Sequence, residues 1–124
     1  MPSPRHYPRA IAFLALLLCA CVESVLEPVN TRQLEPPAIY RTWWSEVEAC
    51  TGVTGRFERV RWLEADVIRN REKGTEHVGA WDPPHTIYIQ SDRLLYERGV
   101  KHEMVHDLRQ TANHGSSAFR RCAG

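Results

Sequence analysis

The chain lacks an excess of charge of either sign. Sixteen Lys and Arg face fifteen Asp and Glu, for a formal net charge of +1. Nothing in that balance suggests nucleic acid or an acidic partner. No apolar run is long enough to cross a bilayer core as a helix. Internal repeats and low-complexity tracts are absent, so 124 residues make at most one domain. Cysteine is scarce, with four in all. Two of them, Cys19 and Cys21, come directly after the N-terminal apolar run, which leaves only Cys50 and Cys122 for the rest of the chain. Acid is missing from the whole C-terminal stretch after Asp107, and that restricts where a late carboxylate ligand can come from.

The segment from Met1 to Arg9 carries Arg5 and Arg9 and no acid, and Ala10 to Leu18 is continuously apolar. About nine apolar residues after a basic start suit a signal-peptide core rather than a membrane span. The run closes on Leu18-Cys19-Ala20-Cys21. Leu at −3, a small residue at −1 and Cys at +1 resemble the lipobox of bacterial lipoproteins. Cys19 at −2 departs from that pattern, but cleavage before Cys19 would leave Leu18 where a small residue is needed. Cys21 is therefore the expected lipidation site, and an ordinary cleaved signal or an uncleaved anchor are the other readings. The expected organisation is a signal peptide over 1–20, a tether over 21–37 rich in Pro and polar residues, and a folded domain over 38–124. Such a protein would sit in a bacterial cell envelope, lipid-anchored and facing away from the cytoplasm. An exported compartment permits a disulfide, and Cys50–Cys122 is the pairing expected. It would close a loop of about 70 residues, worth on the order of 4 kcal/mol in the chain-entropy account.

Periodicity and turn residues divide the rest of the chain into elements. Ile39, Trp43, Val47 and Cys50 recur at helical spacing, widened by Tyr40 and Trp44, and Gly52 supplies a stop. This predicts a helix over 39–51. Residues 56–63 alternate and read as a strand. Residues 65–70 are ambiguous, and 70–74 make a polar turn. Residues 76–81 suit a short strand and 82–84 a loop. His85 to Gln90 suits a clear strand with Ile87 and Ile89 on one face. Ser91 can cap a helix starting at Asp92, with Gly99 interrupting it or starting the next piece. Val100 to Ala112 is then strongly amphipathic, with Val100, Met104, Val105, Leu108 and Ala112 on one side. His102, Glu103, His106 and Gln110 fall on the other.

That second face contains His102-Glu103-Met104-Val105-His106. Two His at i and i+4 stand about 40° apart around a helix axis, one turn from each other, so both imidazoles can reach one ion. A Glu beside the first can take a proton from a metal-bound water. His-Glu-x-x-His is the signature of zincin-type peptidases. A catalytic zinc wants three protein ligands and an open position. The metzincin continuation fails, because Arg109 and Ala112 stand where Gly and His or Asp are needed. The thermolysin-like one fails because no later acid exists. Downstream of the helix stand Asn113-His114-Gly115 and then Phe119. His114 lies on a turn from which its ring can swing back toward the helix.

His-Glu-x-x-His with His-Gly-x-x-x-Phe shortly after it resembles the SprT-like zinc peptidases and related minimal zincins, over roughly residues 81–122. The resemblance implies Zn2+ held by His102, His106 and His114, with Glu103 as general base, and hydrolysis of a peptide or protein substrate by zinc-activated water. It also matches Thr86–Gln90 to the edge strand that such enzymes place above the cleft. The fold expected is α+β, a short twisted sheet packed on the N-terminal helix and the HExxH helix, and a monomer. Tyr88, His85 and His77 are candidate oxyanion donors, and Asp107 is a candidate to orient a ligand through a hydrogen bond; each also has an ordinary reading as strand, loop or surface residue. The rival function is a non-catalytic zinc-binding lipoprotein, or a degenerate peptidase kept as an interaction module. A structural zinc site is disfavoured because such sites usually take four ligands with Cys among them.

Overall fold

A computed structural model describes residues 25–124. The signal segment and Cys21 lie outside the described residues. The described chain is a small α+β domain with two sheets and three helices.

Helix α1 covers Ile39–Thr51 and ends at Gly52, whose φ of 74° is the left-handed conformation that glycine adopts without penalty. Its buried stripe is Tyr40, Trp43, Trp44 and Val47. Ile39, which periodicity put on the stripe, is 40% exposed. The face is rotated toward the two tryptophans because their large rings gain most from burial. Tyr40 is fully buried, and its hydroxyl donates to the Leu94 carbonyl at 2.6 Å, so the polar tip is satisfied.

The expected tether is corrected from its second half onward. Leu26–Val29 forms strand β1 and Arg32–Gln33 forms β2. β1 pairs antiparallel with β4 (Val67–Asn70), and β2 with β3 (Arg61–Ala65). A proline and an acid obscured β1, yet Pro28 is tolerated in a two-stranded ribbon, where a strand edge needs no donor. The strand read over 56–63 is also displaced. Phe57–Arg59 is a 3-10 turn that drops Phe57 into the core beside Trp44 and Trp62, and extended pairing begins only at Arg61.

The main sheet has the order β2-β3-β6-β5, with β5 at Gly79–Asp82 and β6 at Thr86–Gln90. β3 and β6 run parallel, and the other pairs are antiparallel. β6 is thus an inner strand, with Ile87 and Ile89 fully buried. The edges are β2 and β5, which corrects the match of Thr86–Gln90 to an edge. Two fully buried Ile side chains are better served by a position flanked on both sides.

Helix α2 runs Glu97–Arg109 and α3 runs Ala118–Cys122. Neither a helix from Asp92 nor a break at Gly99 occurs. The Ser91 hydroxyl donates to the Ala65 carbonyl instead of capping, and residues 91–93 make a 3-10 turn. Gly99 sits in the first turn of α2, where an added Cβ would come within 2.5 Å of Val78 Cγ1. On one face of the main sheet, Trp62, Ile87 and Ile89 pack with the α1 stripe and with Val100, Met104, Val105 and Leu108 of α2. The β1–β4 ribbon covers the other face through Ile68, Ala65 and Ala80, with Leu26 and Tyr88 alongside. Cys50 and Cys122 are bridged, with Cα atoms 5.6 Å apart. The bridge fastens α3 to the end of α1, and α3 also packs on α2.

Candidate metal centre

Helix α2 is buried on more than its apolar face. Val100, Met104, Val105 and Leu108 enter the core, but Glu103, His106 and Asp107 are buried as well. The polar face is roofed by β5 and closed at its end by the chain after the helix. Gln110, with a φ of 51°, ends α2 earlier than periodicity suggested, and its backbone N–H bonds the His106 carbonyl. Residues 111–116 then run without regular structure but are held by local side-chain bonds. The Asn113 N–H donates to Thr111 Oγ1 at 3.0 Å, and the Gly115 N–H donates to Asn113 Oδ1 at 2.7 Å. These short-range bonds present His114 back toward α2.

The three imidazoles converge. Nε2 of His102 lies 3.1 Å from Nε2 of His114 and 3.2 Å from Nε2 of His106, and the last pair is 2.9 Å apart. They form a cluster able to hold one metal ion. The tautomer of His106 is set, because its Nδ1–H donates to the Thr111 carbonyl at 2.7 Å. Its Nε2 therefore turns a lone pair toward the other two rings. Three nitrogens this close to one point suit a cation better than a ring of neutral contacts. Three ring nitrogens at these separations can all reach one ion at an ordinary imidazole–metal distance. The donor set therefore fits a metal of the imidazole-binding class.

Burial first, and then the neighbouring His106 and His114, push the His102 imidazole down to about 4, so it is neutral near pH 7. Burial also lowers His106, although its bond to Thr111 opposes the shift. Phe119 of α3 lies beneath all three rings, with centroids 5.0 Å from His102, 4.6 Å from His106 and 5.0 Å from His114. The Cys50–Cys122 bridge anchors that pedestal three residues further on.

Glu103 is 6% exposed, and among the described residues its carboxylate has no hydrogen-bond partner. Burial raises its carboxyl to about 8. It lies directly under β5. A Cβ at Gly79 would come within 2.7 Å of Glu103 Cγ and 3.0 Å of Oε1, so only glycine lets the edge strand pass. Periodicity did not single out Gly79, although a glycine inside a strand pattern is the signal for such a close approach.

Glu103 and the three His line one cavity of about 370 Å³, completed by Val25, Leu26, His77, Gly79, Trp81 and Ala112. A second hollow of about 220 Å³ continues past His102 and Glu103 toward Tyr96 and Arg98. Of the three candidate oxyanion donors, only His77 borders these spaces. Tyr88 packs with the small cluster on the opposite face of the sheet. His85 is held by Asp107, with Nδ1 3.1 Å from Oδ2. Asp107 is not a hydrogen-bond partner of any of the three His. It is buried, and it accepts the indole N–H of Trp81 at 3.0 Å.

No family model matches this chain, and neither a curated protein nor a solved structure matches it.

Proposed function

We propose that this chain is a zinc-dependent peptidase, exported and lipid-anchored through Cys21. The observation that carries the reading is the convergence of three Nε2 atoms within 2.9–3.2 Å, in the same cavity as a buried Glu103. His102, His106 and His114 would hold Zn2+. When bound, the ion would supply an acidified water and polarise the carbonyl under attack.

The protein's own groups account for the remaining requirements. Glu103 sits one residue from the first ligand, largely buried at the wall of the cavity, and acts as the group that accepts a proton and later returns it to the leaving amine. Beside a divalent cation its anionic form regains the stabilisation that burial removes. The Thr111 carbonyl keeps His106 in the ligating tautomer. The apolar walls of Val25, Leu26, Trp81 and Ala112 exclude water and favour a substrate with an apolar side chain next to the scissile bond. His77, which lines the cavity, is the candidate to donate a hydrogen bond to the developing oxyanion.

The test is zinc content and peptide cleavage by the purified protein. The expected outcome is one zinc per chain and hydrolysis that a chelator abolishes and added zinc restores. Protein without stoichiometric zinc would end the proposal at its first step. Stoichiometric zinc without any hydrolysis would favour the rival, a zinc-binding lipoprotein that does no chemistry.

A further inference from the structure

His106 is held by more than the peptide carbonyl that sets its tautomer. Trp81, on edge strand β5, stacks against it with ring centroids 5.9 Å apart and planes inclined by only 7°. On its other contact, Phe119 is inclined by 54°. A hydrogen bond to Nδ1 fixes one point of an imidazole but leaves the ring free to tilt about that bond. A near-parallel neighbour removes the tilt.

Trp81 is itself fixed. Its indole N–H donates to Asp107 Oδ1 at 3.0 Å. Asp107 is 4% exposed, and His85, in the turn after β5, approaches both its oxygens. Gln110 closes the same corner by donating to the Pro84 and Asp107 carbonyls at 2.7 and 2.6 Å. Burying a carboxylate here is costly unless its bonds accomplish something, and an apolar residue would serve packing alone better. What Asp107 adds is a fixed indole, one side chain away from a ligand.

We infer that Asp107 and Trp81 are positioning residues for the metal centre: Asp107 pins the indole, and the indole sets the plane of His106. The inference rests on the three-histidine centre and not on peptidase activity. Hydrogen-bonded partners that orient a metal ligand change metal affinity about 10- to 100-fold when removed, and a ring that fixes a ligand's plane is expected to act on a similar scale. The mechanism also demands coupling, because Asp107 acts on His106 only through Trp81.

The experiment is a cycle of Trp81→Phe, Asp107→Ala and the double variant in the full, disulfide-bonded chain. Zinc affinity is read by competition with a chromophoric chelator, and geometry from the visible spectrum of the Co2+-substituted protein. Trp81→Phe keeps a ring but loses the N–H. Each single variant is expected to bind zinc about 10-fold or more weakly and to shift the Co2+ spectrum. In the Trp81→Phe background, Asp107→Ala should cost almost nothing further. Asp107→Asn, which keeps an acceptor oxygen, should recover most of the affinity lost in Asp107→Ala. Additive losses, or single variants with wild-type affinity and spectrum, would overturn the inference. A purely structural Asp107 would lower the unfolding midpoint while leaving both metal readouts unchanged. Should Asp107→Ala not fold, Trp81→Phe and Asp107→Asn decide the matter alone: wild-type zinc affinity and Co2+ spectrum in Trp81→Phe refute it.

Discussion

Replacing Glu103 with Gln separates the cost of the buried acid from its use. Burial raises the Glu103 carboxyl from 4.5 to about 8. Since the folded pKa lies above the unfolded one, the metal-free fold prefers the protonated acid. Wild-type stability is complete below about 4.5 and falls as pH climbs toward about 8. Each unit of difference corresponds to about 1.4 kcal/mol, so by pH 7 the penalty is on the order of 3 kcal/mol. Gln has nearly the same shape and no charge, so the metal-free Glu103→Gln protein should be more stable than wild type by that order at pH 7. The gap should close by pH 4.5, a value at which the unfolded carboxyl is half protonated. Urea unfolding of chelator-treated protein across this range measures it. Zinc should narrow the gap at neutral pH, because the cation stabilises the carboxylate it faces. The same substitution should leave zinc bound and reduce hydrolysis by about 10²-fold or more. A stability difference that stays constant with pH would refute the account of Glu103 as a buried, desolvated acid, and undiminished cleavage would refute its role as base.

The same geometry sets three other outcomes. Gly79→Ala places a Cβ 2.7 Å from Glu103 Cγ; it should cost about 1–3 kcal/mol by overpacking and impair hydrolysis far more than zinc binding, as unfolding curves, zinc titration and kinetics will show. Cys122→Ser removes the link between α1 and α3, so denaturant midpoints should fall by the equivalent of about 4 kcal/mol. Zinc affinity should fall with it as Phe119 loosens beneath the three rings, and reducing agent should reproduce both effects in the wild type. A peptide library should show cleavage next to large apolar side chains; cleavage favouring charged side chains instead would contradict the apolar cavity.

Much of the fold was legible because local and tertiary preferences agree. Helix α1 and strand β6 stand where apolar spacing puts them, since each buries one periodic face and ends at a glycine or a turn. Expectation and structure part where long-range pairing outweighs local pattern. Residues 26–29, with a proline and an acid, look like spacer until β4 offers a partner about forty residues away in sequence. The core between Trp44 and Trp62 takes Phe57 on a 3-10 turn, so the strand starts late. Asp107 reads in sequence equally as a solvated helix acid or as a hydrogen-bond partner of a ligand, and is a buried acceptor only once Trp81 arrives from another strand.

For the metal centre the division is similar. Sequence alone determined the i, i+4 pair His102 and His106, the Glu beside the first and the candidate third ligand at His114, because one helix and one short turn dictate those positions. It also made Cys50 and Cys122 the natural pair. Only the tertiary structure decided that the three nitrogens meet within 2.9–3.2 Å. Only it decided that β6 is an inner strand with β5 at the edge beside it, that Gly79 passes close to Glu103, and that Trp81 lies against His106 and Phe119 against all three rings. Those contacts join residues on separate elements, and no local periodicity carries information about which face of one element will come to rest on another.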